Sequence, residues 1–296
     1  MSISPGDRLL ILGIAGFTGR AMERMVASMP EAREISVIGA DLGFDAAERT
    51  GKVDYHTVDA TDRGALHALL DELRPTHICN LVGTFGNDDF ARLLAINVAI
   101  PESILAWAAG SDSVQRVLLI GSAAEYGVPE KNPITEDHPL RPVNLYGLSK
   151  VYQTRLAELY HRTRGVPVVV ARTFNIYGPG APRSLAVGNW QAQIDAAKDG
   201  DTIRVGNLET YRDYLHVDEV ARDYWTLLER GEGGEVYNVC SGEATKMATV
   251  LESMLQATGK HVDVDQDQNL RKANDVPVVF GSRVKIAETS AHRGTK

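Results

Sequence analysis

Three side chains near the middle of the chain have types and spacing suited to exchanging a proton with an alcohol or carbonyl oxygen. Tyr146 and Lys150 stand four apart in Tyr146-Gly147-Leu148-Ser149-Lys150, opening a helix-compatible run through Tyr160, so both fall on one helix face. An ammonium beside a phenol stabilises the phenolate and is expected to draw the tyrosine below its ordinary pKa of about 10, toward the range of a general acid or base. Alone, this spacing is common on helices and describes an ordinary surface pair equally well. Ser122 changes the weighting. It follows the apolar run Val117–Ile120 in Gly121-Ser122-Ala123-Ala124-Glu125-Tyr126-Gly127. A hydroxyl at the end of such a strand can hydrogen-bond the reacting oxygen while the phenol moves the proton. Ser122, Tyr146 and Lys150 are therefore predicted as a catalytic set.

A second group is suited to holding phosphates. Gly13-Ile14-Ala15-Gly16-Phe17-Thr18-Gly19 follows the apolar run Leu9–Leu12 and precedes the helix-compatible run Ala21–Met29. Glycines allow a sharp turn and close backbone approach to a pyrophosphate, and the following helix presents unpaired N–H groups and the positive end of its dipole. Without further support the turn describes a ligand-free strand-to-helix connection as well. Asp41 supplies that support, because it closes the second apolar strand at close to the offset of about 20 residues where a carboxylate accepts from an adenosine ribose. No Arg or Lys closely follows Asp41 to meet a 2'-phosphate, so NAD(H) is favoured, with NADP(H) as the alternative. Asp59 and Ala60 are candidates for the adenine edge, while Asp62 reads equally as a helix cap.

These groups need a scaffold, and the hydrophobic pattern supplies one. Short apolar runs at Leu9–Leu12, Ile35–Ile38, His77–Val82, Val117–Ile120 and Val166–Val170 alternate with helix-compatible segments, the rhythm of a parallel sheet. Runs apolar at nearly every position are expected where helices cover both faces. The predicted fold is α/β, a Rossmann-type doubly wound parallel sheet over residues 1–173, with return segments near residues 213–240. Beyond Phe174 the spacing shortens and Gly/Pro turns such as Tyr177-Gly178-Pro179-Gly180 appear, so residues 174–296 are expected to form mainly a smaller substrate lobe.

Composition narrows the partners. The 296 residues carry a formal net charge of -8, which argues against nucleic acid, whose binders neutralise phosphates with basic stripes. Cys79 and Cys240 are the two cysteines, far apart and outside any metal-ligand spacing, so neither a disulfide framework nor a metal is expected. The N-terminal apolar run is short and glycine-containing, so no signal or membrane segment is expected and a cytoplasmic location is the simplest setting.

The chain closely resembles the extended short-chain dehydrogenases, the family of nucleotide-sugar epimerases, dehydratases and reductases, over Leu9 to about Ile286. The resemblance is carried by the glycine turn, Ser122 with Glu125-Tyr126-Gly127, Tyr146 with Lys150, Ala171-Arg172-Thr173-Phe174-Asn175-Ile176-Tyr177-Gly178-Pro179, and Arg212-Asp213-Tyr214-Leu215-His216-Val217-Asp218. Through the last of these, Gly234–Gly242, and Asn269-Leu270-Arg271 leading to Asp275-Val276-Pro277, it is most similar to reductases of GDP-linked 4-keto-6-deoxymannose. The resemblance implies that Tyr146 donates the proton, Lys150 orients it and holds nicotinamide ribose, and Ser122 assists. It further implies that Leu81, Val82 and Gly83 wall the nicotinamide and that Asn175, Arg212 and Arg271 hold the nucleotide sugar. Two arginines also make independent sense as diphosphate ligands in an acidic chain. Thr173 stands where the family usually has proline, a change expected to act on loop stiffness. A homodimer through a four-helix bundle is implied, with Asp89–Ala109 and Tyr146–Thr163 as candidate helices and Trp107 and Tyr152 as interface or core residues.

Family dehydratases usually carry carboxylates at the two positions after the catalytic hydroxyl. Here Ala123 and Ala124 stand there, and methyl groups transfer no proton, so dehydration is disfavoured. Ala124 also stands where 3,5-epimerising reductases carry cysteine. The expected reaction is reduction of the C4 ketone of a GDP-linked 4-keto-6-deoxyhexose. A nucleotide-sugar 4-epimerase with tightly held NAD is the alternative. A non-catalytic dinucleotide sensor or scaffold is a third reading, disfavoured by the intact catalytic set.

Overall fold

The structure is a computed structural model, described here over residues 3–29, 34–44, 51–86, 89–267 and 276–291. Strand β1 (Arg8–Leu12) leads through the glycine turn into α1 (Phe17–Ser28). Then follow β2 (Ser36–Asp41), β3 (Asp54–Thr57), α2 (Arg63–Leu73) and β4 (His77–Asn80). A nearly continuous helical stretch comes next: α3 (Phe90–Leu94), a π-helical turn (Ala95–Ala99) and α4 (Ile100–Ala108). β5 (Arg116–Ser122), a 3-10 turn (Ala123–Glu125), α5 (Leu145–Arg164) and β6 (Val168–Thr173) complete this half. The chain continues through β7 (Asn175–Tyr177), α6 (Ala186–Ala196), β8 (Thr202–Val205), β9 (Tyr211–Arg212), β10 (Tyr214–His216) and α7 (Val217–Arg230). Last come β11 (Val236–Val239), β12 (Thr245–Lys246), α8 (Met247–Thr258), β13 (Asp263–Gln266), β14 (Val278–Val279) and α9 (Val284–Ala291).

The main sheet has seven strands in the order β11-β6-β5-β4-β1-β2-β3, every pair parallel. The predicted doubly wound sheet is therefore present, and β11 returns to its edge from the second half of the chain. Strand β3 carries no apolar run, because it is an edge strand whose residues are exposed or half-buried. Alternation along the strands explains their uniform apolarity. Leu9, Ile11, Val37, Cys79, Leu118 and Val169 face one side and pack with Met22 and Val26 of α1 and Val220, Tyr224 and Leu228 of α7. Leu10, Leu12, Ile38, Ile78, Val117, Leu119 and Val168 face the other and pack with Leu66, Ile104 and Ala157 of α2, α4 and α5.

Phe90–Ala108 is long and apolar enough to cross a bilayer by length and composition. Its Ile100, Ile104 and Leu105 are instead buried against the sheet. A separate core joins α6, β8 and α8 through Trp190, Ile194, Ile203, Val205, Met247 and Leu251. The sheet order reverses between β1 and β4, and the crevice beyond their C-terminal ends is where such sheets bind ligands.

Candidate functional site

The phosphate turn is built by backbone contacts that admit no side chain. Gly13 has φ +81, and a methyl group on Gly19 would overlap the Gly13 and Ile14 carbonyl oxygens. Helix α1 starts after Gly16 with no side-chain cap, so its first-turn N–H groups are left for another acceptor. Phe17 and Thr18 form that first turn, both half-buried. Asp41 ties the turn to β2: Oδ2 accepts from Ala15 N at 3.0 Å and Oδ1 from Leu42 N at 2.8 Å. A carboxylate has about four acceptor positions, so capacity remains for ribose hydroxyls.

Asp59 is held locally. Its Oδ1 accepts from the Thr61 hydroxyl at 2.6 Å and Thr61 N at 2.9 Å, and these bonds, the hydroxyl first, hold its carboxyl below the usual range. Ala60 is buried. Asp62 is the N-cap of α2, accepting from Ala65 N at 3.0 Å.

After β4, Leu81, Val82 and Gly83 lead from the crevice toward α5. Leu81 N donates to Leu12 O at 2.9 Å, and a methyl group on Gly83 would lie 3.7 Å from Lys150 Nζ. Asn97, which the sequence reading missed, knits this wall: Oδ1 accepts from Thr84 N at 2.9 Å, and Nδ2 donates to Thr84 O at 2.7 Å and Ser149 Oγ at 3.1 Å. It is fully buried in the π-helical turn. An asparagine inside an otherwise apolar helix was the available signal, since a buried amide requires partners.

Ser122 ends β5, and Tyr146 opens α5, whose N-cap Asn144 accepts from Gly147 N at 2.7 Å. The Ser122 and Tyr146 side chains are hydrogen-bonded. Lys150 is buried, its Nζ donating to Ile120 O at 2.8 Å and Gln153 Oε1 at 3.1 Å. The three predicted catalytic residues are thus brought together at the C-terminal end of β5. Their electrostatics correct one expectation. Burial holds the Tyr146 phenol above its ordinary value, with the Ser122 hydrogen bond working the other way and the Glu125 charge adding to the rise. Lys150 does not draw it down here, because burial lowers the lysine to about 8 and its ammonium is turned to the Ile120 carbonyl. Glu125 partly opposes the lysine's fall.

Thr173, at the end of β6, has its hydroxyl engaged. It pairs with Ser122 in the β5–β6 register, and its Oγ1 lies 2.7 Å from the buried Tyr224 hydroxyl, a bond that proline would delete.

Of the predicted substrate ligands, the fold places Asn175 and Arg212 on either side of Asp213. Exposed Asn175 donates Nδ2 to Asp213 O at 2.9 Å. Arg212 donates Nη1 to Tyr211 O at 2.8 Å and Val276 O at 2.7 Å. Asp213 itself is fully buried and accepts from Ser241 N and Oγ, both 2.7 Å, and from Gly242 N at 3.1 Å and Gly281 N at 3.2 Å. Arg271 lies outside the described residues. No cluster of three metal-ligating side chains occurs among the described residues.

This arrangement fits a dinucleotide. The glycine turn leaves room where side chains would close it, a helix start lies uncapped above the sheet crevice, and an acid–base pair stands at its other end. Comparison with known proteins agrees. Residues 9–240 match the NAD dependent epimerase/dehydratase family. GDP-6-deoxy-D-mannose reductase of Pseudomonas aeruginosa is 29% identical over 293 residues, covering 96% of this chain and 91% of that protein. GDP-6-deoxy-D-talose 4-dehydrogenase of Aggregatibacter actinomycetemcomitans is 24% identical, covering 94% and 90%. The solved structure of RMD from Pseudomonas aeruginosa complexed with NADPH has a TM-score of 0.79 and 28% identity, covering 96% of this chain and 92% of that one. The Thermus thermophilus UDP-glucose 4-epimerase complex with NAD shares the fold, with a TM-score of 0.83, 23% identity and coverage of 98% and 94%. With the family match spanning most of the chain and the glycine turn and the Ser122, Tyr146 and Lys150 side chains gathered at one end of the sheet, the protein belongs to the NAD dependent epimerase/dehydratase family.

Proposed function

We propose that the protein reduces the C4 ketone of a nucleoside-diphosphate 4-keto-6-deoxyhexose, with Tyr146 as the proton donor. The observation that carries this reading is a proton-donating hydroxyl pair, Ser122 and Tyr146, with no carboxylate beside it facing outward. Ala123 and Ala124 follow Ser122, and Glu125 is fully buried with its oxygens engaged by Ser122 N, Thr154 and Arg172. Dehydration of a sugar needs a second group to take a ring proton, and neither Ala123, Ala124 nor the engaged Glu125 offers one. Ketone reduction needs a hydride and one proton.

A nicotinamide dinucleotide supplies the hydride when bound. Ser122 and Tyr146 hydrogen-bond the carbonyl oxygen, and Tyr146 transfers its proton as negative charge develops there. A phenol held above its ordinary value is protonated at neutral pH, the form a reductase requires. Lys150 and Asn97 fix the wall beside it. Asn175 and Arg212, with Arg271, hold the diphosphate and sugar in the lobe formed mainly by residues 174–296. A GDP-linked substrate is supported by the Pseudomonas and Aggregatibacter relatives, a GDP-6-deoxy-D-mannose reductase and a GDP-6-deoxy-D-talose 4-dehydrogenase. Either NADH or NADPH fits the reading.

The test is calorimetric titration of GDP, UDP, dTDP and CDP with dinucleotide present, followed by dinucleotide oxidation with the matching 4-keto-6-deoxy sugar. Selective GDP binding with oxidation of added NAD(P)H is expected. UDP preference and turnover without added dinucleotide would replace this reading with a 4-epimerase. A homodimer through the α4 and α5 faces belongs to the same proposal, supported by Tyr152 and Leu159, 43% and 42% exposed on α5. Sedimentation of the wild type against Tyr152→Glu tests it. A cytoplasmic setting accords with two buried free thiols, Cys79 and Cys240.

A further inference from the structure

Glu125 is fully buried, yet it touches every element that carries the acid–base set. Its Oε1 accepts from Ser122 N at 2.8 Å, and Ser122 Oγ in return accepts from Ala124 N at 3.2 Å, a reciprocal capping box that closes the turn after β5. Its Oε2 accepts from Thr154 Oγ1 at 2.8 Å, one helical turn beyond Lys150 on α5. The same oxygen accepts from Arg172 Nε at 2.9 Å, on β6. Arg172 is itself buried and donates Nη1 to Tyr126 OH and Glu136 O, both at 3.2 Å. One fully buried carboxylate therefore clamps β5, α5 and β6 behind the site.

We infer that Glu125 is a positioning residue for the reaction proposed above: it seats Ser122 against the Tyr146–Lys150 helix turn and keeps the proton on the Tyr146–Lys150 pair. The second role follows from sign. A negative charge behind a phenol and an amine makes removal of either proton harder, whichever leaves first. The directions at both groups agree, since the Glu125 charge pushes Tyr146 up and Lys150 up. The charged and titratable groups around the clamp are Arg172 and Tyr126, which face Glu125, and Glu136, which acts on Tyr126. Arg172 offsets the carboxylate's cost of burial through its Nε, while its Nη1 is taken up by Tyr126 and the Glu136 carbonyl. For a reductase the consequence is direct: the Glu125 charge adds to burial in keeping the Tyr146 donor protonated as pH rises.

Glu125→Gln separates charge from shape, because the amide oxygen can still accept from Ser122 N while the charge is gone. The experiment follows the ultraviolet phenolate absorbance of the full-length protein against pH, subtracting Tyr146→Phe in each background so that Tyr146 alone is read. The Tyr146 midpoint in E125Q is expected to fall by about one pH unit relative to the wild type, and the alkaline limb of kcat/KM to fall with it. An unchanged midpoint overturns the inference, whatever happens to the melting temperature, because a purely structural residue would lower stability without moving the titration. If E125Q does not fold, Glu125→Gln with Arg172→Met removes both charges of the buried pair, a replacement that proteins commonly tolerate, and the same downward shift is expected. The phenolate measurement needs no substrate. Failure of the reductase proposal would appear as absent turnover by the wild type, leaving the titration comparison intact.

Discussion

Lys150 Nζ lies 2.8 Å from the Ile120 carbonyl oxygen, so the lysine predicted to act on Tyr146 is anchored to the strand that carries Ser122. Burial of that ammonium has a thermodynamic consequence. The folded lysine titrates at about 8 against 10.5 when unperturbed, so between those values the unfolded chain binds more protons and stability rises with pH. Below about 8 the protein bears the full cost of burying the charge. Without dinucleotide, the wild type is expected to gain roughly 3 kcal/mol relative to Lys150→Met between pH 7.5 and 10.5. Denaturant unfolding of both proteins across this range is the check, and parallel curves would show that the ammonium is well solvated.

His77 predicts the opposite limb. It is buried in β4 beside the Thr76 hydroxyl, and burial lowers it to about 4, with the Asp7 charge opposing. A histidine that is neutral when folded and protonated when unfolded contributes stability fully above about 6.5, which is lost as pH falls toward 4. Substituting His77→Gln should flatten the unfolding free energy across that window by roughly 3 kcal/mol. An acid limb unchanged by the substitution would place the loss of stability elsewhere.

Gly19 leaves no space for a methyl group between α1 and the Gly13 and Ile14 carbonyls. Gly19→Ala must therefore push the helix start away from the turn. We expect dinucleotide affinity to fall at least tenfold in calorimetry, roughly 1.4 kcal/mol or more, with circular dichroism of the sheet and helices retained. Wild-type affinity in this variant would mean that the turn is not the phosphate cradle.

Removing the phenol oxygen should act on the reaction far more than on binding. For Tyr146→Phe, read as both a catalytic and a cofactor-binding position, kcat is expected to fall by roughly two to four orders of magnitude, with a much smaller change in the dinucleotide Kd. Ser122→Ala should cost about one hundredfold. Stopped-flow hydride transfer with the matched keto-sugar reads both. Near-normal rates in Tyr146→Phe would remove Tyr146 from the mechanism.

Asp213 accepts four hydrogen bonds from Ser241, Gly242 and Gly281 while flanked by Arg212 and linked to Asn175. Asp213→Ala should orphan these donors, lower stability by about 2–4 kcal/mol, and raise the sugar KM more than it lowers kcat. A kcat effect without a KM effect would argue that the lobe does not position substrate.

The site was legible in the sequence where its parts are local. The glycine turn, the carboxylate closing β2, and the four-residue spacing of Tyr146 and Lys150 are set by neighbours along the chain, because turns, caps and helix faces are short-range. The cap reading of Asp62, also a matter of near neighbours, is met by its bond from Ala65 N. The network behind the site was not legible. Asn97 meets Ser149 across 52 residues, and Glu125 meets Arg172 across 47. A polar residue signals only that burial would require a partner; which one it finds depends on how strands are ordered.

Composition and periodicity were sufficient to determine a doubly wound sheet, since strands covered by helices on both faces must be apolar at successive positions and the alternation of strands and helices leaves few topologies. Residue type and spacing singled out Ser122, Tyr146 and Lys150, which the fold gathers at the end of β5. Tertiary packing decided what those groups are. The same Tyr146 and Lys150 whose opposite charges would favour one another on an open helix are desolvated here, and the low-dielectric interior shifts each toward its neutral form. It also decided that Glu125 turns inward as a clamp while Asp41 stays at the crevice. Charge depends on solvent, and only the folded chain determines which carboxylate has any.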